Sequence, residues 1–266
     1  MSPWYALFLG ILQGLTEFIP VSSSGHLLLA EKFLNLPIAD DKFFDVVLHL
    51  GTSLALILYF WKDWWSILKS FCNFLRPNKD CVSQDFNQAK LGYYIIIGTL
   101  PAALIGLAIN DYIDEIFRNT IAVSIFLILV GSVFLVAERP RPFQKFTSSK
   151  ALVIGIAQAI ALIPGISRSG STISAGMLQG LRRDQAASFS FMLGLPAILG
   201  AGLLSFLETD VFPEWKLVII GFISSALTSF FAIKYMLLFL RKHSLHVFAY
   251  YLFCVGTLGL VLSLIL

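Results

Sequence analysis

A chain of 266 residues that is 57% hydrophobic and only 13% charged, with a mean hydropathy of +0.81, falls well outside the composition of soluble domains, of which about a quarter is charged. It reads as an integral membrane protein in contact with a lipid bilayer. The formal charge of +3 is too small to suggest nucleic acid, and no nucleic-acid partner is expected.

The first region, 4–30, is apolar and long enough to enter a membrane, but IPVSSSG at 19–25 breaks it at its centre. The first twenty residues carry no Lys or Arg, no small-residue cleavage site and an acidic Glu17, so they are not expected to be a removable signal. Apolar windows of the ~20 residues that cross ~30 Å of hydrocarbon follow at 44–61, 91–109 and 120–137. The polar stretch 62–90 reads as a loop, with Trp61, Trp64 and Trp65 beside Lys62 and Lys69 as an interfacial belt. A second broken region, 151–180, is interrupted by IPGISRSG at 163–170, and spans at 186–207, 215–240 and 246–266 complete the chain. Cys72, Cys81 and Cys254 match no metal spacing and read as free thiols. Pro101, between Gly98 and Gly106, is expected to kink its span. His49 and Lys234, each inside a span, read as a hydrogen-bonded core histidine and a snorkelling or paired lysine, outside any site.

The two broken regions are copies. A shift of 145 residues carries Gln13 onto Gln158, Ser22 onto Ser167, Ser24 onto Ser169 and Gly25 onto Gly170. The likeness continues loosely downstream, with IIGTLPAAL at 96–104 against IIGFISSAL at 219–227. Each half is one broken segment plus three spans, so the chain is expected to be a single membrane domain, 1–266, of two repeats, 1–137 and 151–266. If the broken segments are re-entrant hairpins, each repeat crosses three times and the second is inverted. Thirteen Lys and Arg residues then fall on one face and four on the other, against ten and seven if both segments cross fully. The positive-inside rule favours the hairpins, with both termini outside. The expected fold is an all-α polytopic membrane protein with an inverted-topology repeat: six transmembrane helices plus two re-entrant helix-loop-helix hairpins meeting near the midplane.

After each break a half-helix starts, near Gly25 and near Gly170, with serines at capping positions. Helix N-termini carry about half a positive charge and unpaired N–H donors, which suit phosphate or carboxylate. Arg168 adds a five-donor fork matched to phosphate oxygens. Ionisable groups at membrane depth are functional by default, which singles out Glu17 and His26. The bland alternative for Glu17 is an ion pair with Arg168 that holds the hairpins together. Capping explains any of Ser22, Ser23 and Ser24 without catalysis, though one of them is expected to do chemistry.

The strings QGLTEFIPVSSSGH and PGISRSGST resemble the two signature motifs of the undecaprenyl-diphosphatase (bacitracin-resistance) family, bacterial membrane enzymes that dephosphorylate a long polyprenyl diphosphate. The resemblance runs through the whole chain. It implies an (E/Q)-x-x-x-E motif at Gln13 and Glu17, an S-S-(S/T)-G-H turn ending in His26, and a P-G-x-S-R-S motif carrying Arg168. Some members have a first Glu where this chain has Gln13, which weakens any metal role that needs two carboxylates. Mg²⁺ or Ca²⁺ dependence, with Glu17 as a candidate ligand, follows from the resemblance alone. So do residence in the bacterial inner membrane, a site open to its outer face, and a part in peptidoglycan synthesis.

Combined with the residues, the resemblance makes Glu17, His26, Ser23 and Arg168 the expected catalytic set. Gln13, Ser22, Ser24, Gly25, Ser167, Ser169, Gly170 and Thr172 are expected to line the substrate. His26, or Ser23 activated by His26, attacks the terminal phosphorus, and water then opens the phospho-enzyme with Glu17 as base or metal ligand. Direct attack by water stays open. The rival class is a transporter, because inverted repeats with midplane half-helices are transporter features and the chain could flip the lipid monophosphate. Oligomerisation is also open.

Overall fold

In hydrocarbon every backbone group must be bonded within its own segment, so a chain this apolar is driven to helix wherever it enters the membrane. The computed structural model describes residues 2–33, 42–75, 83–117, 119–207 and 214–265. All regular structure among the described residues is α-helical. The helices are α1 (Pro3–Thr16), α2 (Ser23–Phe33), α3 (Lys42–Tyr59), α4 (Trp61–Leu75), α5 (Ser83–Phe117), α6 (Thr120–Ala137), α7 (Ser148–Ile160), α8 (Arg168–Leu178), α9 (Arg183–Leu207), α10 (Trp215–Leu240) and α11 (His246–Ile265).

Parts of α5, α6, α9, α10 and α11 are long and apolar enough to cross a membrane, and a sixth crossing results if α3 and α4, bent by 75° at their junction, count as one span. The protein is a multi-pass helical membrane protein. Apolar side chains such as Leu129, Leu203, Leu227 and Leu258 point outward from these helices, as a lipid-facing surface requires.

Within the loop expected at 62–90, residues 62–75 belong to α4 and 83–90 to the start of α5, while 76–82 lie outside the described residues. The charges of α4, Lys62, Asp63 and Lys69, dilute the hydropathy, yet Trp64, Ile67 and Phe71 recur at helical spacing on one face. Gly92 of α5 leaves room for Ile67 and Phe71. Pro101 lies inside α5, which continues through it. Lys234 is exposed on α10 with its ammonium 6.0 Å from the Tyr235 ring. Cys72 and Cys254 are free and exposed, whereas Cys81 lies outside the described residues.

Close helix pairs depend on small residues, the usual device where lipid removes any hydrophobic gain from helix association. A side chain at Gly10 or Gly14 of α1 would collide with the α10 backbone, and one at Gly155 of α7 with Gly98 of α5. The α1–α2 and α7–α8 segments are each interrupted, at 17–22 and 161–167, and α6 runs past the start of both α2 and α8. Val123 and Leu127 of α6 lie against Gly25, and Phe134 against Gly170. Phe18, Phe134, Phe191 and Leu193 are fully buried around the two breaks, with Phe18 edge-on to Phe191 at 5.2 Å.

Candidate active site at the two helix breaks

Proline and serine stop α1 and restart the chain as α2. Ser22 holds a positive φ of 71°, a left-handed conformation uncommon outside glycine, and this sharp turn aims Ser23 back toward the end of α1. Its hydroxyl accepts from the Gly25 amide at 3.3 Å, and its carbonyl accepts from the His26 amide at 3.1 Å. The second break reproduces the cap: Ser167 Oγ accepts from the Gly170 amide at 3.1 Å and its carbonyl from Ser171 at 2.8 Å. In each tip the capping hydroxyl lies 3.4 Å from the serine two residues on, Ser24 or Ser169. Here the glycine at 165, with φ of 91°, makes the turn.

Glu17 joins the tips. Its carboxylate is 5% exposed and accepts from donors on both tips. Oε2 accepts from Ser23 Oγ at 2.6 Å and from Gln13 Nε2 at 2.9 Å, while Oε1 takes the Nη2 edge of the Arg168 guanidinium. The ion pair weighed as the bland alternative is therefore present, and a serine hydroxyl occupies the other oxygen of the same carboxylate. Arg168 Nη1 and Gln13 Oε1 are buried and have no hydrogen-bond partner among the described residues. Room for the guanidinium comes from Gly194 on α9: a methyl group there would overlap Nη1.

His26 does not reach Ser23. Its Nδ1 lies 2.8 Å from the Ser22 carbonyl, which can only accept, so Nδ1 carries the proton and Nε2 accepts from the Tyr251 hydroxyl at 2.8 Å in the neutral ring. The two rings stack at 7°. Ser23 hydrogen-bonds Glu17 and not His26, which corrects the expectation that His26 activates it. His49, set aside in the sequence, belongs to the cluster: Nδ1 donates to the Asp45 carbonyl at 2.8 Å, and Nε2 comes to 3.7 Å from Glu17 Oε2. Thr172 is fully buried and ties α8 to α9 through Ser190 at 2.5 Å, so its hydroxyl is committed to packing. Ser24 is exposed, whereas Ser169 is buried.

The donor set does not fit a divalent cation held by the protein. Mg²⁺ and Ca²⁺ want six or more oxygens, but among the described residues Glu17 is the one carboxylate hydrogen-bonded within the cluster, and it already faces a guanidinium, a hydroxyl and an amide. No group of three or more His, Cys, Asp or Glu side chains suited to a metal occurs among the described residues.

A family model described as bacitracin resistance protein BacA matches residues 6–258. The chain belongs to the BacA family. It is 42% identical over 252 residues to a protein of Thermodesulfovibrio yellowstonii named undecaprenyl-diphosphatase, covering 92% of this chain and 91% of that protein. Proteins of the same name from Rubrobacter xylanophilus and Methanosphaera stadtmanae are 42% and 37% identical, each across 98% of both chains. The buried cluster at the two breaks thus lies inside the matched region. Sequence reasoning missed His49, Gly194 and Tyr251. A histidine inside a span was a usable signal for the first, whereas Gly194 and Tyr251 meet the site only through tertiary packing.

Proposed function

We propose that this protein hydrolyses undecaprenyl diphosphate to undecaprenyl phosphate and inorganic phosphate, returning the lipid carrier to cell-wall synthesis. The observation that carries this is one buried carboxylate, Glu17, holding a serine hydroxyl on one oxygen and an arginine on the other. The like-named relatives support the reading. A flippase needs the cation and the helix N-termini but has no use for a serine poised on a base.

The terminal phosphate is held by the open Nη1 of Arg168 and the amides of the α2 and α8 starts. It competes with Glu17 for the guanidinium, and a carboxylate relieved of its counter-charge is a stronger base. Glu17 then takes the Ser23 proton as Oγ bonds to the terminal phosphorus. The anhydride P–O bond breaks, the lipid phosphate leaves, and the proton follows it. Water attacks the phosphoserine in turn, its proton passing to Glu17, which gave its first proton to the leaving lipid phosphate and lies within hydrogen-bond reach of Ser23 Oγ. Inorganic phosphate leaves and the proton returns to Ser23.

The reading extends to topology: α1–α2 and α7–α8 are re-entrant hairpins of two inverted repeats, the termini are outside, and the site opens to the outer face of the inner membrane. The charge division, the matching caps and the reciprocal packing of α1 on α10 and α7 on α5 support it. An impermeant thiol reagent should spare the exposed Cys72 in intact cells and label it in lysed ones; labelling in both overturns the topology. For the activity, purified protein in detergent should release phosphate from undecaprenyl diphosphate. A folded preparation that releases none at any divalent-cation concentration overturns it.

A further inference from the structure

At the end of α8 opposite Arg168, the ends of α6, α8 and α10 and the start of α9 line a half-open cavity of about 410 Å³. Five arginines line it: Arg139, Arg141, Arg182, Arg183 and Arg241. Two acids, Glu138 and Asp184, offset only part of that charge. The arrangement is built rather than accidental. Glu138 has a side chain only 2% exposed and holds Arg183 through Nε at 3.0 Å to both carboxylate oxygens and through Nη2, while also accepting from the Leu245 amide at 2.7 Å. One carboxylate thereby locks the end of α6, the start of α9 and the approach to α11. Arg183 Nη1 is left without a partner among the described residues. Arg141 is fixed by Nη1 donating to the Leu178 carbonyl at 3.0 Å, and Arg182 pairs with Asp184 at 3.2 Å. Arg139 and Arg241 are exposed and form no ion pair among the described residues.

A second cavity, of about 470 Å³, adjoins the first and shares Leu181, Asp184 and Arg241 with it. Its remaining walls have an apolar side that includes Phe60, Leu91, Phe146 and Phe189 and a polar side that includes Asp63 and Lys145. A cluster of guanidiniums recognises phosphate oxygens in their fork geometry, and the apolar side of the neighbouring cavity offers contact to a hydrocarbon chain. Inorganic phosphate would fill only the first chamber.

We propose that these joined cavities bind a phosphate-bearing lipid, its headgroup among the five arginines and one chain along Phe146 and Phe189. The site is separate from the diphosphate cluster and does not depend on the hydrolase reading. Basic pockets between helices at a membrane surface commonly hold anionic headgroups. The lipid phosphate has two sources, an ordinary membrane phospholipid or a polyprenyl monophosphate, and both present the same group to the arginines.

Native mass spectrometry of the full chain in detergent tests this, with phosphatidylglycerol, phosphatidylcholine, polyprenyl monophosphate or inorganic phosphate as probe. Phosphatidylglycerol or polyprenyl monophosphate should be retained in preference to phosphatidylcholine, and whichever holds tighter identifies the source. The double variant Arg139→Gln/Arg241→Gln removes two exposed, unpaired cations and leaves the Glu138–Arg183 lock intact. It should lose about tenfold to thirtyfold in retention of the anionic lipid while hydrolysing diphosphate at the unaltered rate. Equal retention of phosphatidylcholine, undiminished binding in the double variant, or displacement of the lipid by millimolar inorganic phosphate overturns the proposal.

Discussion

The break between α1 and α2 and the break between α7 and α8 cap their half-helices with the same two hydrogen bonds and the same serine pair, yet their chemistry has separated. Under the 145-residue shift, Arg168 stands where Ser23 stands and Leu162 where Glu17 stands. The residues in equivalent positions, a hydroxyl in one tip and a guanidinium in the other, converge on the two oxygens of the single surviving carboxylate. Both tips start a half-helix whose amides suit an anion. In the proposed mechanism one tip carries the nucleophile and base and the other the anchor. The glutamines make the same point: Gln13 donates to Glu17, whereas Gln158, opposite it under the shift and fully buried, has neither amide atom partnered among the described residues.

Removing the shared carboxylate should have the largest effect. Glu17→Gln is expected to lower turnover by about 10² to 10⁴, the range for a general base, and to destabilise the fold by about 3 to 5 kcal/mol because Arg168 is stranded. The double variant Glu17→Gln/Arg168→Met should regain most of the melting temperature and none of the activity. Recovery of turnover in that double variant would show that the carboxylate serves only as a tie between tips. Next comes the anchor. Arg168→Lys keeps the charge but cannot span Glu17 and a phosphate at once, and a loss of about 10² to 10³ in turnover is expected on the scale of one preorganised donor. Near-normal turnover in folded Arg168→Lys would reduce the second tip to scaffolding.

Spans and breaks were legible because they are local signals: apolar runs of membrane length, and Pro, Gly and Ser where such a run should continue. The serine caps were legible for the same reason. The α4 helix was not, since Lys62, Asp63 and Lys69 hide an apolar face that pays off only against Gly92. At the site, sequence set catalysis against pairing for Glu17 as alternatives. The carboxylate has two oxygens and pairs with Arg168 through one while holding the Ser23 hydroxyl on the other, which spacing cannot express. The partner of His26 was misread because Tyr251 is 225 residues away and reaches it only through packing of α11.

Gly194→Ala probes the seat of the anchor without touching a charge. The added methyl overlaps Arg168 Nη1, the atom assigned to phosphate, so the guanidinium must shift. Overpacking of this kind costs about 1 to 3 kcal/mol, and displacement by about 1 Å lowers turnover by up to 10². Steady-state kinetics should show the loss while Glu17 and Ser23 keep their bond. Unchanged kcat and KM would mean that Nη1 does not meet substrate.

The smallest effect, and the most direct test of the difference between tips, belongs to the two glutamines. Leucine is close to glutamine in size and asks for no hydrogen bond. At position 158 it should remove a buried amide that has no partner, worth about 1 to 3 kcal/mol when left unsatisfied, so Gln158→Leu should melt higher or unchanged and retain full turnover. At position 13 the same substitution deletes a 2.9 Å bond to Glu17 and the open Oε1, so Gln13→Leu should lower turnover and leave the melt near its starting value or below. Measured together, the pair separates a scaffolding glutamine from one that acts on the carboxylate. An equal loss of turnover in both variants would mean that the second tip takes part in the reaction through Gln158 as the first does through Gln13, and the division between anchor and reactive tip would fall.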